Sequence, residues 1–350
     1  MADDAPFSFL PLGAIIQRFD VDGTNIVQGF PTSELYASHN APYFGETIGR
    51  VANRISGAQL HNINGSADCP LTANDGPNAL HGGPAGWGKK TWTGPSPVGV
   101  HTLFPGLAPL TEGGESVRFT LDSPDGDEGY PGNVLASVTY TAGRQAEDDK
   151  RITVLVIDYE AELVGNADET VINMTNHSYF NLSGTTSIEG TVVELATNSY
   201  LPVDSTGIPT GGPVPFATVP PAHTSFVFGA TAPDIDDCLV VNEEPSSVPI
   251  DTRSSPLVRF LTAHHPQSGV HLEVWSTEPA FQLYTAGYVD LPPLGGLPAR
   301  GQRCGFCVEP SRYVNAANVD AWRSMVLLKR GAKYGARIVY RAWKDAQKEG

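Results

Sequence analysis

Two polar groups that lie far apart in the sequence could together transfer protons. His177 lies in the stretch VINMTNHSYFNLSG, residues 171–184, where an apolar, β-branched half gives way to asparagines, hydroxyls and the imidazole. Glu309 closes the apolar run at 305–308 and is followed at once by Pro310. Sites are commonly built where strands end, and a half-buried carboxylate there is desolvated and ready to accept a proton. Such a carboxylate and an imidazole are enough for general acid–base chemistry.

Two polar clusters earlier in the chain could bind a ligand beside that pair. FGETIGRVANRISG, residues 44–57, carries Asn53 and Arg54, and NDGPNALHGGPAGWG, residues 74–88, surrounds His81 with glycines. Glycines admit positive φ, so we expect His81 to lie on a shaped turn. Taken alone, His81 fits a turn-stabilising role better than a catalytic one, and Arg54 fits a salt bridge.

His177 and Glu309 also have structural interpretations when each is considered by itself. His177 fits a hydrogen-bonded core histidine about as well as a catalytic one, and Glu309 could pair with Arg312 or Arg303. Composition and periodicity do not decide between these roles and the catalytic ones.

The segments that must position these groups have the composition of short strands. Runs rich in Val, Ile, Thr, Tyr and Phe recur along the chain, namely SVRFTL, LASVTYTA, RITVLVIDYEAE, TVVELA, VHLEVWSTE, FQLYTAGYV and GARIVYRAW. In the third run Ile152, Val154, Val156 and Asp158 fall on one face of a strand. Helical periodicity is nearly absent, with one short helix predicted over 316–324.

This pattern predicts an all-β fold, a large antiparallel β-sandwich with long loops and very little helix. Length alone favours about two domains, but large all-β folds often run past about 200 residues as one unit. We therefore expect one domain over 1–350. No G-x-G-x-x-G follows a strand, so a nucleotide-binding Rossmann domain is not expected.

Charge and hydropathy limit the partners that we expect. The net charge is −16, from 22 basic and 38 acidic residues, and such a surface repels nucleic acid and anionic lipid. No run approaches the roughly 18 apolar residues that span a bilayer. The N-terminal stretch MADDAPFSFLPLGAIIQRFD has acidic residues where a secretory signal carries basic ones. We expect a cytoplasmic protein with no nucleic-acid or membrane partner.

The four cysteines favour neither a disulfide framework nor a metal centre. Cys304 and Cys307 have CxxC spacing, but Cys69 and Cys238 stand alone, so a second ligand pair for zinc is missing. RCGFCVEP, residues 303–310, is better interpreted as a strand that carries small buried thiols. We predict no metal.

The quoted motifs, in their order, resemble the aldose 1-epimerase (galactose mutarotase) family. The resemblance is carried by GETIGRVANRISG, NDGPNALHGG, SPDGDEGYPGNVLASVTYT, NMTNHSYFNLSG, TEPAFQLYTAG and the glutamate of CVEP. It covers about residues 10–342, and jointly these motifs are highly specific. It implies a galactose-mutarotase-like β-sandwich that interconverts the α and β anomers of free aldoses such as glucose or galactose.

The resemblance also assigns roles to residues. It implies that Glu309 is the general base for the anomeric hydroxyl and that His177 is the general acid for the ring oxygen. His81 and Arg54 would hold sugar oxygens, with Asn53 nearby. No electrons move and no group is transferred in such a reaction, so no cofactor is expected.

At two places this chain departs from the pattern of the family that it resembles. In IDDC, residues 235–238, Asp236 and Asp237 compete for the family's sugar-binding aspartate, and register favours Asp236. Gln282 lies in the family's QLYT segment and is expected to bind sugar. The family often has Thr-Gln after its glutamate, where this chain has Pro310 and Ser311, so the preferred sugar stays open.

Reference pKa values of about 4.3 for Glu and about 6.5 for His would leave the base ionised and the acid partly protonated near neutrality. Neighbouring carboxylates are expected to raise the pKa of the histidine.

Two other functions remain open from the sequence. A hexose-6-phosphate mutarotase would need extra cations, for which Arg312 and Arg303 are candidates. A non-catalytic carbohydrate-binding protein of the same fold is the other. The oligomeric state, monomer or dimer, is open.

Overall fold

The computed structural model describes residues 5–346, with the side chains at 66 and 67 excepted, and consists mainly of antiparallel strands. The ends of the predicted 1–350 domain lie outside the described residues. The strands, numbered in chain order, are β1 Phe7–Leu10, β2 Ile15–Val21, β3 Thr24–Asn25, β4 Thr47–Ile48, β5 Arg54–Ile55, β6 Gln59–Ile63, β7 Ser66–Pro70, β8 Ala79–Leu80, β9 Thr93–Val100, β10 Glu112–Ser123, β11 Asn133–Glu147, β12 Lys150–Val164, β13 Glu169–Val171, β14 Thr175–Asn176, β15 Tyr179–Phe180, β16 Val192–Leu195, β17 Ser199–Tyr200, β18 Val214–Pro215, β19 Phe226–Val227, β20 Asp236–Val240, β21 Val258–His265, β22 Val270–Ser276, β23 Ala280–Tyr284, β24 Phe306–Ser311, β25 Leu327–Lys329 and β26 Lys333–Lys344.

Two sheets dominate, and the predicted all-β class is confirmed. A nine-stranded sheet has the order β19-β16-β21-β22-β26-β12-β11-β10-β9, and a six-stranded sheet has the order β15-β24-β23-β20-β17-β18. Neighbouring strands in both sheets are antiparallel. Strands β11 and β12 form a long hairpin, in which Glu147 pairs with Lys150 at the tip.

Helix is confined to short pieces. The α-helix α1, Ser33–His39, begins after Thr32, whose side chain accepts a hydrogen bond from the Leu35 N–H. The 3₁₀ turns are Ser56–Ala58, Trp87–Lys89, Pro245–Ser247, Ala316–Asn318 and Arg323–Met325. Within residues 5–346, no helix is both long enough and apolar enough to cross a membrane.

The short helix predicted over 316–324 was wrong, because the chain there forms two separate 3₁₀ turns. Asn315, just before the first turn, has a φ of 60°, and Val319 after it returns to an extended conformation. These changes of backbone direction leave no room for a continuous helical repeat.

The main core lies between the two large sheets. Phe306 and Val308 of β24 are fully buried in one apolar cluster with Leu155 and Ile157 of β12. Successive side chains of a strand point to opposite faces. Cys307 and Glu309, which alternate with Phe306 and Val308 in β24, therefore face away from this core, so the outer surface of the six-stranded sheet can carry polar groups.

Strand β12 is buried on both faces, which its alternation did not reveal. The predicted face of Ile152, Val154 and Val156 packs into a second, smaller cluster with Trp343. Asp158 at the end of that face accepts a hydrogen bond from the Arg337 Nε at 2.8 Å. One face of β12 thus packs into the main core and the other into the smaller cluster, so its alternating pattern does not distinguish a buried face from a solvent-exposed one.

A buried ion pair joins the end of β24 to the turn before β23. The Arg312 Nη1 lies 2.9 Å from the Glu278 Oε1, and both side chains are fully buried. The Thr252 hydroxyl donates to the same carboxylate oxygen at 2.6 Å. Burial raises the pKa of Glu278, and the Arg312 guanidinium partly offsets that effect. Removing one partner would leave the other charge in a low-dielectric interior.

We expect Glu278→Ala to lower the free energy of unfolding by about 3–5 kcal/mol, the usual cost of orphaning a buried charge. The matched control is Glu112→Ala, which removes an exposed partner of Arg151 and should cost less than about 1 kcal/mol. Urea denaturation measures both values. Equal losses in the two variants would contradict a stabilising role for the buried pair.

Candidate active site

The seven residues predicted to act on a ligand line one cavity of about 800 Å³. They are Asn53, Arg54, His81, His177, Asp236, Gln282 and Glu309. The cavity lies over the outer face of the six-stranded sheet, and segments 203–207 and 288–291 form part of its wall. Its volume falls in the range of small-molecule sites, roughly 300–1,000 Å³.

Three neighbouring strands carry the floor of the cavity in fixed register. Glu309 of β24 pairs with Gln282 of β23, which pairs with Cys238 of β20. The Gln282 Nε2 donates to the Asp236 Oδ1 at 2.8 Å. Asp236 and Cys238 share the cavity face by the period of two, whereas Asp237 points to the other face. The choice of Asp236 over Asp237 therefore agrees with the strand geometry.

The backbone of His177 is fixed from both sides by one neighbouring segment. Its N–H donates to the Glu46 carbonyl at 2.9 Å, and its carbonyl accepts from the Gly45 N–H at 3.0 Å. Strand β14 ends one residue before it, and β15 begins at Tyr179, which pairs with Cys307 of β24. The strand end thus delivers the imidazole beside the strand that carries the carboxylate.

The asparagines around His177 hold the backbone and make no hydrogen bond to the imidazole within the described part of the chain. Asn173 Oδ1 accepts from the Arg312 N–H at 2.9 Å, and Asn176 Nδ2 donates to the Gly45 carbonyl at 3.1 Å. Asn181 Nδ2 donates to a carbonyl in the turn before β24. The asparagines around His177 therefore serve mainly to link neighbouring backbone segments by hydrogen bonds.

A small two-stranded sheet brings the two earlier clusters together. Arg54 of β5 pairs with Leu80 of β8, which places Asn53 beside His81. His81 has a φ of 52° and Gly82 a φ of 82°, which confirms the predicted turn. A Cβ at Gly82 would collide with a backbone carbonyl oxygen, so this approach requires glycine.

Hydrogen bonding fixes which nitrogen of His81 carries the proton. The Asn53 N–H donates to the His81 Nδ1 at 3.2 Å, so Nδ1 must be unprotonated. Burial, followed by the nearby His177, lowers the pKa of His81 well below its usual value. The neutral ring therefore carries its proton on Nε2 and donates a hydrogen bond.

The same hydrogen bond makes a metal ion a poor fit to this site. Ligand atoms of His81, His177 and Glu309 lie within 4.8 Å of one another, close enough to suggest a cation. A metal-binding histidine usually donates its second N–H to an acceptor. The His81 Nδ1 instead faces the Asn53 N–H donor. Ligation through Nε2 would move the ring proton to Nδ1 and bring two N–H groups together.

The side chains of Glu309 and His177 face each other and are both largely buried. The Glu309 Oε1 lies 3.5 Å from the His177 Nε2, and each side chain is 5% exposed. Burial, with a further contribution from Asp236, raises the pKa of Glu309 well above its usual value. Burial lowers the pKa of His177 to about 3. Low dielectric disfavours both charged forms.

The expectation that carboxylates would raise the pKa of His177 was wrong. Desolvation of the imidazolium outweighs the nearby carboxyl group, because that group is itself desolvated and resists ionising. Burial therefore favours a neutral carboxyl group on Glu309 beside a neutral imidazole on His177, an arrangement in which the pair holds one proton.

Both cysteines of the CxxC segment are buried thiols, as expected, and one contacts the site. Cys307 lies within β24 and Cys304 just before it. The Cys307 Sγ lies 3.6 Å from the His177 Nδ1, a contact that sequence reasoning did not find.

Tyr43 is a cavity residue that the sequence did not indicate. Its ring centroid lies 4.9 Å from that of His81 and 5.7 Å from that of His177. The Lys89 Nζ lies 4.2 Å from the centre of the same ring. Tyr43 has a φ of 65°, a local conformation that residue type does not reveal. Its position just before the FGETIGR segment was the one available signal.

The charge of the cavity wall is predominantly negative. The acidic side chains that line it are Asp75, Asp204, Asp236, Asp290 and Glu309, and burial raises the pKa of Asp236 and Glu309 among them. Among the described residues, Arg54 is the one lysine or arginine in the lining, and its Nε lies 2.7 Å from the Asp75 carboxylate.

Arg312 and Arg303, the candidate phosphate ligands, are engaged elsewhere. Arg312 is paired with Glu278. Arg303 donates to the carbonyls of Gly229 at 3.0 Å and Pro233 at 2.9 Å. Neither arginine lines the cavity.

Known proteins similar to this chain share this sequence pattern and architecture. A family model described as Aldose 1-epimerase matches residues 3–341. The bifunctional protein gal10 of Schizosaccharomyces pombe is 34% identical over 340 residues, which cover 95% of this chain and 43% of that protein. The galactose mutarotase of Sus scrofa is 34% identical over 322 residues, which cover 89% of this chain and 82% of that protein.

A solved structure, the GalM/aldose epimerase homologue from C. elegans, superposes with a TM-score of 0.76 at 26% identity. The match covers 97% of this chain and 96% of that one. The chain spans less than half the length of the bifunctional relatives that it matches.

Proposed function

This chain belongs to the aldose 1-epimerase family, and on that basis we propose that it interconverts the α and β anomers of free aldohexoses such as glucose or galactose. The observation that carries the proposal is the facing of the Glu309 Oε1 and the His177 Nε2, 3.5 Å apart, in a cavity of small-molecule size. A proton acceptor and a proton donor side by side are what hemiacetal opening requires.

In the proposed reaction, the Glu309 carboxylate removes the proton from the anomeric hydroxyl while His177 protonates the ring oxygen through Nε2. The bond between the anomeric carbon and the ring oxygen breaks, and a carbonyl forms at the anomeric carbon. Rotation about the adjacent carbon–carbon bond exposes the other carbonyl face. Reversed proton transfers close the ring, and the pair regains its starting protons.

Before the sugar binds, Glu309 and His177 already hold between them the proton that the reaction needs. Burial favours a neutral carboxylic acid on Glu309 and a neutral imidazole on His177. Transfer of that one proton from the carboxyl group to Nε2 gives the carboxylate and imidazolium of the working pair. The hydroxyl groups of a bound sugar stabilise both charges, so binding promotes the transfer.

The remaining cavity residues are proposed to hold the sugar. His81 offers an Nε2–H donor, since its Nδ1 accepts from Asn53. Asp236 and the unpartnered Oε1 of Gln282 are acceptors for sugar hydroxyls. Arg54 supplies a guanidinium donor with its orientation set by Asp75.

Two alternative functions are less well supported. A 6-phosphate substrate would bring two negative charges to a wall of carboxylates, while Arg312 and Arg303 are occupied elsewhere. A non-catalytic binding protein would not need an acid and a base held in contact with shifted pKa values. Measured rates of anomerisation with free and phosphorylated sugars distinguish both alternatives from the proposed function.

Three further expectations stay predictions. We propose that residues 1–350 form one domain, that the protein is cytoplasmic, and that its partner is a small sugar.

The purified protein is expected to accelerate the polarimetric decay of α-D-glucose or α-D-galactose well above the buffer rate. It should accelerate glucose-6-phosphate anomerisation far less, because the cavity wall repels phosphate. Faster turnover of the phosphorylated sugar would favour the 6-phosphate alternative. Sugar binding without acceleration would favour the binding protein.

Glu309→Gln and His177→Asn should each lower kcat by about 10²–10⁴, the usual contribution of a positioned acid or base. The matched control is Asp237→Asn, which neutralises a neighbouring carboxylate on the opposite face of β20. That variant should keep near-normal turnover. Near-normal kcat in Glu309→Gln would exclude Glu309 as the base.

The rate should stay level as the pH rises through about 6.5, the ordinary pKa of histidine. A second proton enters the pair only below the lowered pKa of His177, about 3. The first proton leaves only above the raised pKa of Glu309. Between those limits the pair keeps its one proton, so kcat/KM, which reports the free enzyme, should be constant in polarimetry with the buffer rate subtracted. A tenfold fall per pH unit beginning near 6.5 would instead indicate an ordinary, solvated imidazolium acid.

A further inference from the structure

His177 is held between two side chains of a single strand. Cys307 and Glu309 are two residues apart in β24 and therefore point to the same face. The Cys307 Sγ lies 3.6 Å from the His177 Nδ1, and the Glu309 Oε1 lies 3.5 Å from the Nε2. Both ring nitrogens thus have a partner from one rigid element.

The surroundings hold this arrangement in place. Strand β15 pairs Tyr179 directly with Cys307, and the Tyr179 ring stacks on His177 with centroids 5.2 Å apart. Cys307 and His177 are both buried. Burial raises the pKa of the Cys307 thiol well above its usual value, so sulfur is present as a neutral thiol near neutral pH.

We propose that Cys307 is a positioning residue that accepts a hydrogen bond from the His177 Nδ1–H and so reserves Nε2 for proton exchange with Glu309 and the sugar. This inference rests on the proposed function for its effect on turnover. The Glu309 Oε1 faces Nε2 at 3.5 Å, and a neutral ring that leaves Nε2 free for proton exchange carries its one proton on Nδ1.

The choice of sulfur has a chemical consequence. Catalytic histidines are commonly oriented by a carboxylate, which also stabilises the imidazolium. A neutral thiol is a weak acceptor and fixes the ring with little stabilisation of its charge. The imidazolium formed here is consequently a stronger acid toward the ring oxygen.

The first test is the protonation state of the ring. Long-range ¹H–¹⁵N spectra of the wild-type protein, assigned with His177→Asn, should show the His177 proton on Nδ1 at neutral pH. In Cys307→Ala the Nδ1–H loses its buried acceptor, and the ring should redistribute toward the Nε2–H form. Cys307→Ser restores an acceptor and should retain the wild-type state.

Turnover gives the second readout. Cys307→Ala should lower kcat about two- to tenfold, the effect of one ordinary hydrogen bond, with KM unchanged. Cys307→Ser should recover most of that loss. The matched control is Cys304→Ala, which removes the other buried thiol of the segment and should leave kcat and the His177 spectrum unchanged.

Two results would overturn the inference. One is a wild-type spectrum with the proton on Nε2 and a bare Nδ1. The other is a Cys307→Ala protein whose spectrum and kcat match those of Cys304→Ala. The wild-type protein could fail to accelerate sugar anomerisation while the His177 imidazole spectrum still responds to Cys307→Ala as expected. The proposed function would then fail, but the inferred hydrogen bond between Cys307 and His177 would stand.

Discussion

Burial of the Glu309 and His177 side chains, each 5% exposed, is the constraint on which the proposed chemistry of the cavity depends. Desolvation disfavours carboxylate and imidazolium alike, so the free pair is neutral and carries a single proton. In the proposed reaction both charges must exist together while the sugar ring opens. The hydroxyl groups of a bound sugar would stabilise both charges by hydrogen bonding. Charge separation between Glu309 and His177 would thereby be coupled to binding of the sugar.

Much of this arrangement could be predicted from sequence because it follows from local rules. Alternating β-branched runs indicated the sheets, glycines around His81 indicated its turn, and the strand end at 175–177 indicated where an imidazole would emerge. These signals concern residues close together in the chain, where residue type constrains the backbone directly. The choice of Asp236 over Asp237 came from register with the motif of the family that the sequence resembles.

What could not be predicted depends on contacts between distant segments. The pKa of His177 falls because burial there is nearly complete, a quantity that no local pattern contains. Tyr43 reaches both imidazoles through a positive φ that tyrosine rarely adopts. The asparagines beside His177 suggested a polar site, yet they cross-link buried backbone, since unpaired buried peptide groups are costly. Strand β12 separates two cores, which alternation cannot distinguish from core and solvent.

Contacts before and after Glu309 join its strand to the segment that carries His177. Tyr179 pairs with Cys307 before Glu309, and Asn173 binds the Arg312 N–H after it. The stretches 203–207 and 288–291 form another part of the cavity wall. In the proposed function, the residues that would select the sugar thus differ from the two that would exchange protons. Substitutions along these stretches would then change which aldose is admitted while the 3.5 Å spacing of Glu309 and His177 stays the same.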